Sequence, residues 1–229
     1  MTLAIDPTTL PPSIKSWLGA HVAFRRDADA LCAAVAALDP SDTVAATRLA
    51  DAFAITTQML HQHHTTEDEL IFPELITRSP AFAGVVMTMS LEHVDLGDVV
   101  DDINRALATL TGRSSRANEV HARLVGQAET FRTLLRLHLE VEEDHALPMF
   151  LRCFTTDEID AIGDAHFARN ADALPVMIPW SASAMTPDVV VEMLANLPVA
   201  VQENYSRWSL TFQQAFAPML VQPAQAVAA

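Results

Sequence analysis

The chain has 229 residues, half of them hydrophobic, with 29 acidic against 14 basic side chains and a net charge of −15. That length fits one domain plus an extension, the missing excess of Lys and Arg argues against a sequence-independent hold on nucleic acid or an anionic membrane surface, and no apolar run of about 18 residues suggests a membrane span. Neither Cys32 nor Cys153 belongs to a CxxC pair, which argues against thiolate zinc and iron–sulfur clusters.

Residues 1–12, with Pro7, Pro11 and Pro12, read as an irregular lead-in, and they lack the basic start and apolar core of a signal peptide, so a cytoplasmic location is expected. Ser13 is the expected N-cap of a first helix. Its core-facing stripe is Ile14, Trp17, His21, Phe24, Ala28, Leu31, Val35 and Leu38, broken by Asp39-Pro40-Ser41-Asp42. A second helix is predicted over 43–77 with the seam Leu49, Phe53, Thr56, Leu60, His63, Glu67, Leu70 and Glu74, ended by Ser79-Pro80. A third spans 82–110 and turns Phe82, Val86, Met89, His93, Leu96, Val100, Ile103 and Leu107 inward. A fourth spans 116–151 with Leu124, Phe131, Leu135, His138, Glu142 and Met149 inward. Four long helices on short loops predict an all-α, up-down-up-down four-helix bundle over 13–152.

Residues 153–229 change character and read as a helical extension packed on the bundle. Thr155 and Glu158 form an N-cap signature. Pro175 and Pro179 bracket an expected extended linker reaching Trp180. Short helices follow from Pro187 and over 198–216, and the tail from Val221 is Ala- and Gln-rich. Cys32 and Cys153 sit among apolar residues and read as buried structural thiols.

Each of the four seams carries one histidine: His21, His63, His93 and His138. Two come with a glutamate four residues on, Glu67 and Glu142, which in a helix lies about 40° around and one turn along. A buried carboxylate without a cation or donor is costly. Helix lengths place these residues together. Glu67 lies thirteen residues before Pro80 and His93 thirteen after it, and His21 and His63 are similarly spaced about Pro40. The four histidines therefore converge on one layer, toward the end of the bundle that carries the second loop. Six N and O donors exceed what one ion usually takes, and carboxylates bridge, so a dinuclear site follows. The donor set suits iron, with manganese or zinc as substitutes. His64 with Asp68 repeats the spacing one residue out of register on a less apolar seam. It ranks at the rim, and whether it replaces or supplements His63 stays open. His145 either lines the pocket or faces solvent, and His61, His121 and His166 read as surface residues. Asp68, Glu69, Glu140, Glu143 and Asp144 read as solvated faces with some bonds to ligand imidazoles.

The segments HVAFRRDADAL, HHTTEDELIFP, LEHVDLGDVV and HLEVEEDHALP, beginning at residues 21, 63, 91 and 138, resemble the successive signatures of the hemerythrin-like, HHE-type cation-binding family. The closing part, with Pro179-Trp180 and Leu197-Pro198, resembles extensions on actinobacterial members. The resemblance implies two iron ions bridged by an oxo or hydroxo group and by two carboxylates, with His21, His63, Glu67, His93, His138 and Glu142 as ligands. Where oxygen-carrying hemerythrins have a further third-helix histidine, this chain has Gly97, and its last carboxylate is a Glu at i+4. An open position on one iron follows, which shifts the expected role from oxygen transport toward binding or sensing dioxygen, nitric oxide or peroxide. A di-iron enzyme of oxidative or nitrosative stress defence and an iron-binding or storage protein remain alternatives. No nucleic-acid or membrane partner is expected, and the chain is expected as monomer or homodimer.

Overall fold

The computed structural model describes residues 10–220; the start of the lead-in and the tail from Val221 lie outside the described residues. The long helices are α1 (Pro12–Ala37), α2 (Thr43–Thr66), α4 (Ala83–Leu110) and α5 (Ala117–Val141). Short helices α3 (Phe72–Arg78) and α6 (Leu147–Cys153) continue α2 and α5. They form the expected all-α bundle, in which α1 packs on α5, α5 on α4 and α4 on α2. Pro12 occupies the first turn of α1, where its missing N–H costs nothing. Ser13 is therefore not the cap; its Oγ donates to Asp160 Oδ1 at 2.8 Å. The Asp42 carboxylate caps α2, accepting from Val44 N and Ala45 N.

The continuations are not α-helical throughout. Single π-helical turns, Glu67–Ile71 and Glu142–Ala146, interrupt the second and fourth rods, and in each the glutamate carbonyl accepts from the N–H five residues on. Pro73 and Pro148 follow in the first turns of α3 and α6. A proline ring inside a helix clashes with the carbonyl four residues back, and the widened turn gives that carbonyl room. The extra residue shifts the buried register by one. Ile71, Phe72 and Leu75 are buried in place of the expected Leu70 and Glu74, and Ala146, Leu147 and Phe150 in place of Met149.

The remaining chain forms α7 (Thr156–Arg169), α8 (Leu174–Ala182), α9 (Pro187–Ala195) and α10 (Val199–Phe216). The Thr155–Glu158 capping box opens α7. Residues 174–182 are a helix and not the expected linker: Pro175 sits in the first turn and Pro179 one turn later, and burial of Met177, Ile178 and Trp180 offsets the backbone bond lost at Pro179. These helices lie across the α1–α2 side of the bundle, with α7 and α8 against α1 and α10 against α2. Gly163 on α7 permits the close approach, since a Cβ there would lie 2.6 Å from the engaged Ser13 Oγ.

The core has two parts. One cluster fills the larger end of the bundle, from Phe24 and Phe53 to Leu110, Leu124, Phe131 and Leu135. A smaller one, with Ile14, Phe72, Leu75, Met89 and Phe150, fills the end near residues 79–82. Both cysteines are free and half-buried, more exposed than expected. Among the described residues no helix is long and apolar enough to cross a membrane.

Candidate metal centre

Between the two apolar clusters the seams bring a layer of buried polar side chains together. His21 comes from α1, His63 and His64 from α2, His93 from α4 and His138 from α5; Glu67 and Glu142 open the two π turns. All seven are buried. Every sequence-predicted site residue is present in the layer, and His64 joins them.

His64 corrects the rim placement. Adjacent helical residues point about 100° apart, but α2 faces both α1 and α4, so His63 meets one neighbour and His64 the other. The His63 ring packs edge-on to His21 at 5.1 Å between centroids, while His64 stacks on His93 at 3.9 Å. Gly97, by contrast, is exposed, and a Cβ built there meets nothing within 4 Å. The position implied to be missing at Gly97 points away from the layer, and His64 supplies an imidazole on that side.

The donor atoms fall into overlapping groups within 4.8 Å of one another. His21, His63, Glu67 and Glu142 form one half; His93, His138, Glu67 and Glu142 form the other, with His64 beside His93 and His138. The two carboxylates are shared, one oxygen to each half. Glu67 Oε1 lies 3.2 Å from His63 Nε2 while its Oε2 lies 3.6 Å from His93 Nε2. Glu142 Oε2 lies 3.3 Å from His21 Nε2 while its Oε1 lies 2.9 Å from His138 Nε2. The halves are unequal, with two imidazoles against three.

Outer partners fix the rings. His21 Nδ1 bonds Glu143 at 2.8 Å, His93 Nδ1 bonds Asp68 at 2.9 Å and His138 Nδ1 bonds Glu92 at 2.9 Å. Asp68 and Glu143 are the residues after Glu67 and Glu142, so each π turn aims one acid into the layer and the next at an imidazole on a neighbouring helix. Arg25 and Ser90 hold these outer acids in turn. Trp17 Nε1 donates to Glu67 Oε1 at 2.8 Å. Sequence reasoning anticipated bonds from the acidic runs but missed Glu92 and Trp17. The signal for Glu92 was an acid one residue from His93, turned about 100° toward α5.

Among the described residues outside this layer, His61 and His145 are exposed. His121 and His166 are half-buried and not surface residues, bonded to the Val35 carbonyl and to Thr66 Oγ1.

The electrostatics describe a site built for positive charge. Burial pushes Glu67 well above the ordinary carboxyl range, and the facing Glu142 adds to this. Burial pushes Glu142 the same way, but His138, with His63 and His93, outweighs it and holds this carboxyl well below the ordinary range. Burial thus acts alike on both carboxyls, and the imidazoles around Glu142 give the two their opposite directions. Burial lowers His63 to about 4, and burial together with His93 lowers His64 well below its ordinary value. Both are neutral at pH 7, the form that offers a lone pair to a cation. Burial opposes charge on His138 as well, yet Glu142 and Glu92 raise it. Glu143 is brought down to about 2 against the pull of burial, by His21 and Arg25.

Eight buried polar atoms of this layer make no well-aligned hydrogen bond, the 2.9 Å approach of His138 Nε2 to Glu142 Oε1 included: Nε2 of all five histidines, Glu67 Oε2 and both oxygens of Glu142. Elsewhere among the described residues only the side-chain oxygens of Gln62 and Gln127 share that condition. Buried acceptors left unmet are rare, and eight aimed at one small volume fit cations as the absent partner. A helix bundle with His and Glu side chains converging on one buried layer defines a cation-binding class of protein. The chain belongs to the hemerythrin HHE cation-binding domain family, whose model matches residues 13–150. No curated protein and no solved structure matches the chain.

Proposed function

We propose that this protein is a non-haem di-iron protein that binds or senses dioxygen, nitric oxide or peroxide at the shared site. The observation that carries the reading is the pair of glutamates, each presenting one oxygen to each histidine group. His21 and His63 would hold one ion, and His64, His93 and His138 the other, with Glu67 and Glu142 common to both. Nitrogen and carboxylate donors without thiolate suit iron ahead of manganese or zinc. Iron held there supplies Lewis acidity and one-electron chemistry toward small oxygen and nitrogen species. Glu143, Asp68 and Glu92 orient the imidazoles and keep Nε2 as the donor atom. The half with two imidazoles has fewer protein donors and is where an external ligand is expected.

Protein purified aerobically without chelators is expected to carry about two iron ions per chain, as two-metal sites do. It should absorb in the near-ultraviolet and change its spectrum on exposure to nitric oxide or peroxide. Iron-free protein that takes up no ferrous iron would overturn the reading. The unequal halves also favour turnover as a second reading, which oxygen release from added peroxide would reveal.

His64→Ala separates the two ions. It should weaken the ion of the His93 half by more than the roughly 10–100-fold that loss of an outer partner costs. The His21 half should fill as before, so a ferrous titration should resolve two steps where the parent shows one. An unchanged titration would return His64 to the rim.

A further inference from the structure

A cavity of about 500 Å³ lies between α1, α2 and the roof formed by α7–α10. His63, Glu67, Trp17 and Phe24 line it, whereas His21, His64, His93 and His138 do not. It therefore reaches the half with fewer imidazoles through His63 and the shared Glu67, while His21 lies behind Trp17. Trp17 joins the two, because its ring packs 3.9 Å from His21 and its N–H holds Glu67.

The size and lining of the cavity describe its occupant. Dioxygen and nitric oxide are far smaller, whereas pockets of roughly 300–1,000 Å³ hold organic molecules of tens of atoms. Most of the wall is apolar, with Met59, Ile159, Ile162, Phe167, Met177 and Met193 among its side chains. The charged side chains are engaged or exposed: Lys15 pairs with Glu192 at 3.3 Å, Asp160 accepts from Ser13, and Asp164 faces solvent. Among the described lining residues no free cation would meet a carboxylate or phosphate, and desolvating an unpaired ion is costly. Apart from His63 and Glu67 of the polar layer, one described lining residue has an unmet buried polar atom: Gln62, next to His63, whose side-chain oxygen is buried without a partner. Thr66 and His166, which also line it, satisfy each other at 2.7 Å.

We infer that this cavity binds an uncharged, mostly apolar organic molecule carrying one neutral hydrogen-bonding group, which meets Gln62 and lies against the His21–His63 half of the centre. What the molecule meets there rests on the di-iron reading; binding itself needs only the cavity. The extension is what makes the pocket, since α7–α10 supply its roof and α9 closes it with Val189 and Met193 although no residue of α9 is buried.

The test uses the full chain, with and without iron, and N-phenyl-1-naphthylamine, a neutral apolar fluorophore with one N–H. The expected result is one saturable site per chain with blue-shifted emission in the iron-free protein, quenched when iron is loaded. Ile162→Trp and Met193→Trp, which fill the cavity from α7 and α9, should each weaken binding by about tenfold or more, or 1.4 kcal/mol, with helicity and iron content unchanged. Should Ile162→Trp lose helicity, Met193→Trp decides, because α9 contributes nothing to the buried core. Absence of saturable binding, binding indifferent to the deciding variant, or a bound probe that iron does not quench would each overturn the inference. Iron bound without probe binding removes the pocket and leaves the di-iron reading standing; probe bound without iron uptake does the reverse.

Discussion

Glu142→Ala is expected to empty both halves of the centre at once, and this is the largest single effect on metal content the structure predicts. No other side chain approaches so many donors: Glu142 lies within 3.8 Å of Nε2 of His21, His63, His93 and His138. Its loss takes an oxygen from each half together, whereas Glu92→Gln disturbs only the ring of His138 and should weaken binding by roughly 10–100-fold. The iron-free fold should survive. Without a cation, Glu142 is buried against Glu67 and paired with His138, so removing it takes away one contact with His138 while ending the approach of two carboxyls. Far-ultraviolet circular dichroism of Glu142→Ala should match the iron-free parent. The stabilisation that bound metal gives the folded state, about 2.7 kcal/mol at a hundredfold excess over Kd, should vanish. A melting temperature that still rises on adding ferrous iron would contradict the bridging role.

Much of this layer was legible before the structure, because the four seams are regular. One histidine per stripe, the equal spacing of Glu67 and His93 about Pro80 and the similar spacing of His21 and His63 about Pro40 bring these side chains to within about a turn of one level, since rise per residue in a helix is fixed. What failed did so where a helix stops being regular or meets more than one neighbour. The π turns at 67–71 and 142–146 advance the register by one residue, so straight extrapolation buried Leu70, Glu74 and Met149 instead of Ile71, Leu75 and Phe150. Pro73 and Pro148, six residues after each glutamate, were the visible cause. A one-seam description of α2 also had no place for His64, because it assigns each helix a single inward direction while α2 presents one face to α1 and another to α4. Gly97 misled for the converse reason: four residues from His93 is near the same face, but just far enough around to meet solvent. In residues 174–182 two prolines suggested extension, and burial of Met177, Ile178 and Trp180 prevailed over that local preference.

Trp180→Ala should produce the largest loss of stability among single changes in the extension, and the effect should reach the metal centre. Trp180 is buried, its ring lies 4.8 Å from that of Phe24, and its indole N–H donates to Asp27 Oδ2 at 2.7 Å. Asp27 is wholly buried on α1, with Thr56 and Arg26 as its other partners, and burial holds its carboxyl above the ordinary range. Truncation would therefore leave a large cavity and remove one of three supports from a buried acid. Phe/Trp→Ala changes in cores cost about 3–5 kcal/mol, and each kcal/mol lowers the melting temperature of a protein this size by roughly 2–4 °C, so a fall of about 6–20 °C follows. Trp180→Phe keeps most of the volume and loses only the hydrogen bond, worth about 1–3 kcal/mol where a buried acceptor is left short. Thermal unfolding should thus rank the parent above Trp180→Phe and that above Trp180→Ala. Phe24 carries the change inward, because its ring also meets the His63 ring, edge-on at 5.2 Å between centroids. With Trp180 gone, Phe24 can relax away from His63, and the ion held with His21 should dissociate faster than the one held with His93 and His138. Equal melting temperatures in the three proteins would mean that α8 rides on the bundle without bracing it, and the cavity above His63 would then lack a fixed roof.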